Sequence, residues 1–244
     1  MKKVLILGGA SGLGGALTSE LLGMNYDVHV FGRTTISGAT HIACDLASEE
    51  QVNKFLHSKV LEAPQFQWVI LNAGIGMRSP FNQVDLDSLM RMIKVNFGSQ
   101  VAILRKLLTP HLEKVINISS VQASFAMKNR SLYCASKGGM QLLIEALQLE
   151  EQKVQTYNVI LGYMNTNLSY NSIGPNGQRF SKTDKNQENG LLPEKVSSMI
   201  IRKVLKNRGG EICIAGLRER LALFLFRYFR PVFLILRKVI PVSS

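Results

Sequence analysis

The hydrophobic positions of this chain form short apolar runs that alternate with helical patterns. The runs lie at residues 4–7, 28–31, 68–71, 115–118, 154–161 and 212–215, each bounded by turn residues. Apolar residues recur at helical spacing between most of them, as in the segment that begins at Pro193. This order predicts an α/β fold with a doubly wound parallel sheet, covered by helices on both faces. Functional loops should lie at the carboxyl ends of its strands.

Length and composition favour one domain. No linker rich in proline, glycine, serine or charge divides the 244 residues. We expect the sheet domain to cover residues 1–216 and a helical tail to follow at 217–244. The three cysteines, Cys44, Cys134 and Cys213, have no paired spacing, which argues against a disulfide framework and a zinc site. With an apolar start too short for a signal peptide, these features predict a cytoplasmic protein in a reducing compartment.

A glycine-rich turn directly follows the first predicted strand and opens a helix. Its residues are Gly8-Gly9-Ala10-Ser11-Gly12-Leu13-Gly14. Glycines let the backbone turn tightly and approach a pyrophosphate, whose charge the amides of a helix N-terminus stabilise. A tight structural turn without a ligand is the alternative interpretation. The strand before the turn and the helix after it favour nucleotide binding.

The end of the second predicted strand indicates which dinucleotide binds. A chain that prefers NAD places an acidic residue there to bond the ribose 2′-hydroxyl, whereas this chain has Gly32 and Arg33. Gly32 leaves room for a 2′-phosphate, and the planar guanidinium of Arg33 suits such a group. A surface arginine without a ligand is the alternative. The pattern predicts that NADP(H) is preferred over NAD(H).

Tyr133 and Lys137 are four residues apart, a spacing that places both side chains on one face of a helix. A neighbouring ammonium favours the phenolate, so we expect the pKa of Tyr133 to fall below its reference value of about 10. The phenol would then serve as an acid or base near neutrality. An exposed helix pair without a role is the alternative. Ser120, thirteen residues before Tyr133, favours the catalytic interpretation.

Together these motifs resemble the short-chain dehydrogenase/reductase family, and the likeness covers about residues 3–216. Gly8-x-x-x-Gly12-x-Gly14 is similar to the family's cofactor turn, and Asn72-Ala73-Gly74 to its Asn-Asn-Ala-Gly strand end. Tyr133-x-x-x-Lys137 resembles its catalytic pair, with Ser120 at the family's separation. The resemblance implies a Rossmann-like domain that transfers a hydride between a nicotinamide and a carbonyl or alcohol carbon.

The resemblance also implies a role for each site residue. Tyr133 would exchange the proton, Ser120 would hold the substrate oxygen, and Lys137 would lower the pKa of Tyr133 and bond the nicotinamide ribose. Asn96 would fix a water that reprotonates Lys137. The predicted catalytic residues are Asn96, Ser120, Tyr133 and Lys137. The predicted cofactor-binding residues are Gly8, Ser11, Gly12, Leu13, Gly14, Arg33, Asp45, Leu46, Asn72, Ala73, Gly74, Tyr133, Lys137 and Thr166, and no metal ligand is predicted.

The net charge of +12 is concentrated near the end of the sequence. Residues 217–244 combine apolar residues with Arg220, Arg227, Arg230 and Arg237, and Pro231 should kink the helix. Charges inside the run argue against a membrane-spanning helix. The tail could lie on a membrane surface, pack against a second subunit or cover the substrate cleft. Protein packing in a homo-oligomer is slightly favoured, and no motif indicates nucleic-acid binding.

A different class of function stays open at this point. The same fold could serve as a dinucleotide sensor without catalysis, or as a scaffold with a membrane- or partner-binding tail. The intact Ser120, Tyr133 and Lys137 favour an enzyme. Residues 165–195, which would shape the substrate site, match no motif, and only the apolar tail suggests a lipophilic carbonyl or alcohol substrate.

Overall fold

A seven-stranded parallel sheet forms the centre of the computed structural model, which describes residues 1–58, 66–183 and 185–239. The strand order is β3-β2-β1-β4-β5-β6-β7. The strands are β1 Lys3–Leu7, β2 Asp27–Gly32, β3 Thr40–Ala43, β4 Trp68–Leu71, β5 Lys114–Ser120, β6 Gln155–Leu161 and β7 Gly210–Ile214. Both halves of the sheet grow outward from β1 and β4, so the predicted doubly wound, Rossmann-like domain is confirmed.

Nine α-helices lie within the described residues. They are α1 Gly12–Gly23, α2 Glu49–Leu56, α3 Leu86–Ile93, α4 Ser99–Leu107, α5 Ser131–Glu150, α6 Lys185–Glu188, α7 Pro193–Lys206, α8 Leu217–Tyr228 and α9 Arg230–Val239. Pro193 occupies the first turn of α7, where its missing amide hydrogen leaves no bond unmade. The predicted kink at Pro231 is present as the break between α8 and α9. None of the described helices is long and apolar enough to cross a membrane.

The central strands bury side chains on both faces of the sheet. Along β1, Val4 and Ile6 pack with Leu17 of α1 and Ile200 of α7, on one face. Leu5 and Leu7 belong to the opposite core, which also holds Ile103 of α4 and Ile144 of α5. A strand buried on both faces has no polar face, which is why these strands appear in the sequence as continuous apolar runs.

The tail helices pack against the β7 end of the sheet. Leu223 of α8 is buried with Val121 and Ile160, on the same face of the sheet as α5. The guanidinium of Arg227 donates to both carboxylate oxygens of Glu211 on β7, at 2.8 and 2.5 Å. Helices α8 and α9 are therefore docked on this chain's own sheet. The last part of the predicted tail, residues 240–244, lies outside the described residues.

Candidate active site

The glycine turn after β1 and the end of β4 fit closely together at the carboxyl edge of the sheet. Asn72 Nδ2 donates to the carbonyl oxygen of Gly8 at 2.7 Å. Gly8 has a φ of +76°, and a Cβ at this position would lie 2.9 Å from Cα of Ala73. A Cβ on Gly14 would lie only 2.0 Å from the Gly8 oxygen. Side chains at either glycine would therefore break the turn that opens α1.

Thr166 approaches the same turn from the segment after β6. Gly12 has a φ of +53°, and a Cβ there would lie 3.6 Å from Cγ2 of Thr166. Ser11 is the N-cap residue of α1, and its side chain makes no capping bond. Leu13 is buried and anchors the start of the helix in the core. The first turn of α1 thus lies at the carboxyl edge of the sheet, where its backbone amides would meet a phosphate.

Three of the residues predicted to bind the cofactor follow β2 and β3. Arg33 is exposed directly after β2, and a Cβ on Gly32 would meet no atom within 4 Å. Asp45 Oδ1 accepts from the Ala47 amide at 3.0 Å, which closes a tight turn after β3. Leu46 is buried, and its carbonyl accepts from the Ser99 hydroxyl at 2.7 Å.

Asn96 lies in a π-helical turn, Lys94–Gly98, between α3 and α4. Its side chain is buried and bonds both backbone groups of Ile75, with Oδ1 accepting at 2.8 Å and Nδ2 donating at 2.9 Å. Nδ2 also donates to the Ser136 hydroxyl at 3.2 Å. The widened turn places the amide against the strand end after β4 and against α5. Such turns are frequent at functional sites.

Ser120, Tyr133 and Lys137 converge where β5 ends and α5 begins. Ser120 is the last residue of β5, whereas Tyr133 and Lys137 occupy the same face of α5, as their spacing predicted. Tyr133 is 6% and Lys137 is 5% exposed. Lys137 Nζ donates to the Ile118 carbonyl at 2.9 Å. A Cβ on Gly74 would lie 3.4 Å from Nζ of Lys137 and 3.6 Å from Oδ1 of Asn96, so these groups meet at the β4 end.

The predicted direction of the Tyr133 pKa is wrong in this structure. Burial of the phenol raises its pKa above the usual 10, because the phenolate would lose its solvation. The charge of Arg130 and an interaction with the Ser120 hydroxyl lower the pKa in part. Burial also lowers the pKa of Lys137 to about 8. The cation that acts on Tyr133 is therefore Arg130, one helical turn away, while Lys137 is bonded to the Ile118 carbonyl.

Sequence reasoning missed two buried arginines near the tyrosine. Arg130 is 7% and Arg78 is 8% exposed, and burial lowers the pKa of both guanidinium groups, that of Arg78 to about 10. Each charge also interacts with Tyr163, which follows β6. The Arg78 guanidinium lies 5.5 Å from the centre of the Phe180 ring. The sequence signal that could have identified them was their place beside the motifs, because Arg130 precedes Tyr133 by three residues and Arg78 follows Gly74 by four.

The segment after β6 closes over this edge through short backbone pairings. Met164 pairs with Leu191, and Met77, in the loop after β4, pairs with Ile173. The amide of Arg78 donates to the Ile173 carbonyl at 2.8 Å. The segment predicted to shape the substrate site thus lies across the loop that follows Asn72-Ala73-Gly74. Residue 184 of this segment is outside the described residues.

Comparison with known proteins identifies the family. The short chain dehydrogenase family model matches residues 2–174. A Drosophila melanogaster "Dehydrogenase/reductase SDR family protein 7-like" is 27% identical over 92% of this chain and 76% of its own length. The Xenopus laevis "Dehydrogenase/reductase SDR family member 7B" is 30% identical over 74% of this chain, which spans 58% of that relative.

Solved structures show the same fold at lower identity. A short chain dehydrogenase family protein from Francisella tularensis superposes with a TM-score of 0.75 at 23% identity, over 88% of this chain and 98% of that one. An alcohol dehydrogenase from Thermococcus sibiricus, complexed with 5-hydroxy-NADP, gives 0.72 at 22% identity, over 88% and 96%. The family model covers well over half of the sequence, and the fold agrees with it. This chain is therefore an oxidoreductase of the short-chain dehydrogenase/reductase family.

Proposed function

We propose that the protein is an NADP(H)-dependent oxidoreductase that interconverts a carbonyl compound and its alcohol. The observation that carries this proposal is the convergence of Ser120, Tyr133 and Lys137 at the carboxyl edge of the sheet, beside the glycine turn. The residues at that edge suit a dinucleotide: a glycine turn for the pyrophosphate, and Arg33 beside Gly32, where a Cβ would meet no atom within 4 Å, for a 2′-phosphate. When bound, the nicotinamide would supply or accept the hydride.

In the reductive direction Tyr133 donates its proton to the oxygen of the reacting carbonyl. The phenol is protonated at neutral pH, as a proton donor must be, and Arg130 and the Ser120 hydroxyl lower its pKa against the effect of burial. The Ser120 hydroxyl donates to the same oxygen and holds it in line. Both side chains sit at fixed ends of regular elements, so little reorganisation is needed during the reaction.

Lys137 and Asn96 position Tyr133 and return a proton to it after each reaction. With a pKa of about 8, the Lys137 amine can lose and regain a proton near neutral pH, and it is available to the ribose hydroxyls of a nicotinamide. Asn96 is fixed by its bonds to Ile75 and cannot rotate freely. Protons from solvent would then reach Tyr133 through the Lys137 amine, which a water held by Asn96 would reprotonate.

The activity is tested by screening aldehydes and ketones, including lipophilic ones, for oxidation of NADPH by the purified protein. A substrate-dependent fall in NADPH absorbance supports the proposal. Ser120→Ala on the best substrate should reduce kcat while leaving NADPH binding unchanged, because the hydroxyl acts on the substrate oxygen. Binding of NADPH without turnover of any compound would instead favour a dinucleotide sensor.

The cofactor preference is tested by comparing dissociation constants for NADPH and NADH. We expect tighter NADPH binding, and Arg33→Gln should weaken NADPH by roughly 10- to 100-fold, because a hydrogen bond between charged groups contributes about 1.5–3 kcal/mol. NADH binding should change little. Arg91→Gln, on the exposed end of α3, is the matched control. Tighter binding of NADH by the unmodified protein would overturn the preference.

A further inference from the structure

Helices α8 and α9 present a continuous apolar surface to solvent. On α8 the side chains of Leu217, Leu221, Phe224 and Tyr228 are 83%, 55%, 50% and 70% exposed. Their spacing of four, three and four residues places them on one face of the helix. The face continues beyond the break between the helices at Phe229, Val232 and Ile235, which are also exposed. We call these seven residues the apolar stripe.

The stripe lies opposite the face that attaches the tail to the domain. Leu223 and Phe233 are buried on the inner face. The centre of the Phe233 ring lies 5.0 Å from that of Phe125 and 5.4 Å from that of Phe226. The tail is therefore already anchored without the stripe. Within the stripe, the centre of the Phe224 ring lies 5.2 Å from that of Tyr228 and 5.8 Å from that of Phe229, so the aromatic surface extends to the break between the helices.

Positive charge surrounds the stripe. Arg218, Arg220 and Arg230 are exposed on the same two helices, and the Arg230 guanidinium lies 5.4 Å from the centre of the Phe226 ring. Glu219 is the single acidic residue in the sequence from 217 to 244. Its carboxylate faces the domain, with Oε1 accepting from the Tyr163 amide at 3.5 Å. The rim of the stripe is thus cationic, and the one acidic residue of these two helices faces the domain.

This charge distribution decides between two occupants. If two copies of the chain paired through their stripes, arginines would face arginines without carboxylates to compensate them. An anionic bilayer instead supplies phosphates at the depth of the headgroups and hydrocarbon beneath them. Arginine side chains can extend to such phosphates while neighbouring apolar side chains insert. Aromatic side chains are also favoured at this boundary.

We propose that the apolar stripe of α8 and α9 inserts into the surface of an anionic lipid bilayer, with Arg218, Arg220 and Arg230 bound to lipid phosphates. The helices lie parallel to the surface with the stripe about 5–10 Å deep, a geometry available to helices too short to span it. The proposal concerns a surface outside the candidate active site and does not depend on turnover.

The test is co-sedimentation of the full chain with vesicles. Vesicles of phosphatidylcholine alone are compared with vesicles in which phosphatidylglycerol replaces a third of the lipid. We expect binding to the anionic vesicles only, and release when NaCl rises from about 0.1 to about 1 M, because the screening length falls from about 10 to about 3 Å. Arg218→Gln with Arg220→Gln should weaken binding by roughly fivefold for each arginine removed.

The apolar contribution is tested with Phe224→Ser combined with Tyr228→Ser. Both side chains are at least half exposed, so the fold should be retained, and circular dichroism checks this directly. The double variant should lose most vesicle binding. Leu86→Ser combined with Leu149→Ser is the matched control, because these leucines are exposed on α3 and α5, away from the tail.

Several results would overturn the proposal. Equal binding to neutral and anionic vesicles would show that the arginines do not bind lipid phosphates. Unchanged binding by the variant with serine at positions 224 and 228 would show that the apolar stripe does not insert into the bilayer. Absence of vesicle binding by the unmodified chain would exclude a lipid role. Sedimentation velocity then identifies the other occupant, because a dimer that the same double variant dissociates would make the stripe a subunit interface.

Discussion

At the scale of single residues, the candidate site combines a buried phenol and a buried amine whose pKa values are shifted in opposite directions. Burial raises the pKa of Tyr133 and lowers that of Lys137 to about 8. Both shifts favour the neutral form, because a charged group loses solvation inside the protein. The cofactor-free site therefore bears a cost in stability for holding an amine where a proton relay needs one. Such a cost is common at sites selected for function.

Replacing Lys137 should reveal this cost. The folded protein binds the Lys137 proton less tightly than the unfolded chain, whose lysine has a pKa of 10.5. The contribution of Lys137 to the free energy of unfolding is therefore lowest below pH 8 and rises between pH 8 and about 10.5. Lys137→Met should abolish turnover yet raise the free energy of unfolding at pH 7 by about 1–3 kcal/mol, with the gain disappearing near pH 10.5.

Urea denaturation of the cofactor-free protein at both pH values measures the effect. Lys153→Met is the control, since Lys153 is exposed and its replacement should leave the stability difference between the two pH values unchanged. A Lys137 variant that is less stable than the unmodified protein at pH 7 would show that the amine stabilises the fold, contrary to the burial argument.

At the scale of secondary structure elements, the site depends on the contact between the glycine turn and the end of β4. Gly8 and Gly14 leave no room for a side chain, because Ala73 and the Gly8 carbonyl occupy that space. Asn72 closes the contact by its bond to the Gly8 oxygen. Two elements that are 64 residues apart in the sequence thus share one rigid edge.

Gly14→Ala should destabilise the protein and weaken dinucleotide binding. The added Cβ would lie 2.0 Å from the Gly8 oxygen, so the turn must move, at a cost of typically 1–3 kcal/mol. Gly23→Ala, at the other end of α1, meets no atom within 4 Å and should be neutral or stabilise by up to about 1 kcal/mol. Chemical denaturation and NADPH titration of the two variants check this, and equal effects would refute it.

Much of the fold could be predicted from the sequence because strands buried on both faces carry an unbroken apolar run. β3 gave no such run, since Thr40 and Ala43 on this edge strand are exposed. The candidate site residues could be selected because they belong to motifs. Their placement at strand ends could be predicted because the strands are parallel. The Tyr133 pKa could not be predicted, because a spacing of four residues does not show how deeply the pair is buried or that Lys137 bonds Ile118.

At the scale of the whole molecule, the tail extends the domain beyond β7. The sequence left three positions open for it: a membrane, a second subunit or the substrate cleft. The structure shows its inner face packed on this chain's own sheet, through Leu223 and the pair of Arg227 with Glu211. The sequence could not show this packing, because apolar residues lie on several sides of α8 and α9, so the pattern does not indicate which side packs on the sheet.

The tail should be held mainly by apolar burial. Leu223 is 5% exposed, so Leu223→Ala should cost about 2–3 kcal/mol and loosen α8. The Arg227 and Glu211 side chains are 38% and 35% exposed, so solvent screens their pair, and Arg227→Gln should cost less than about 1 kcal/mol. Denaturation and limited proteolysis of the tail would measure both. A larger effect for Arg227→Gln would reverse this order.

The most direct test of the proposed mechanism compares the unmodified protein with Tyr133→Phe at saturating NADPH, using the best substrate from the carbonyl screen. Removing a positioned proton donor should reduce kcat by roughly 10²- to 10⁴-fold, whereas the phenylalanine ring fills the same buried space. The dissociation constant for NADPH should therefore stay nearly the same. Full turnover by Tyr133→Phe would contradict the assignment of this phenol as the group that exchanges the proton.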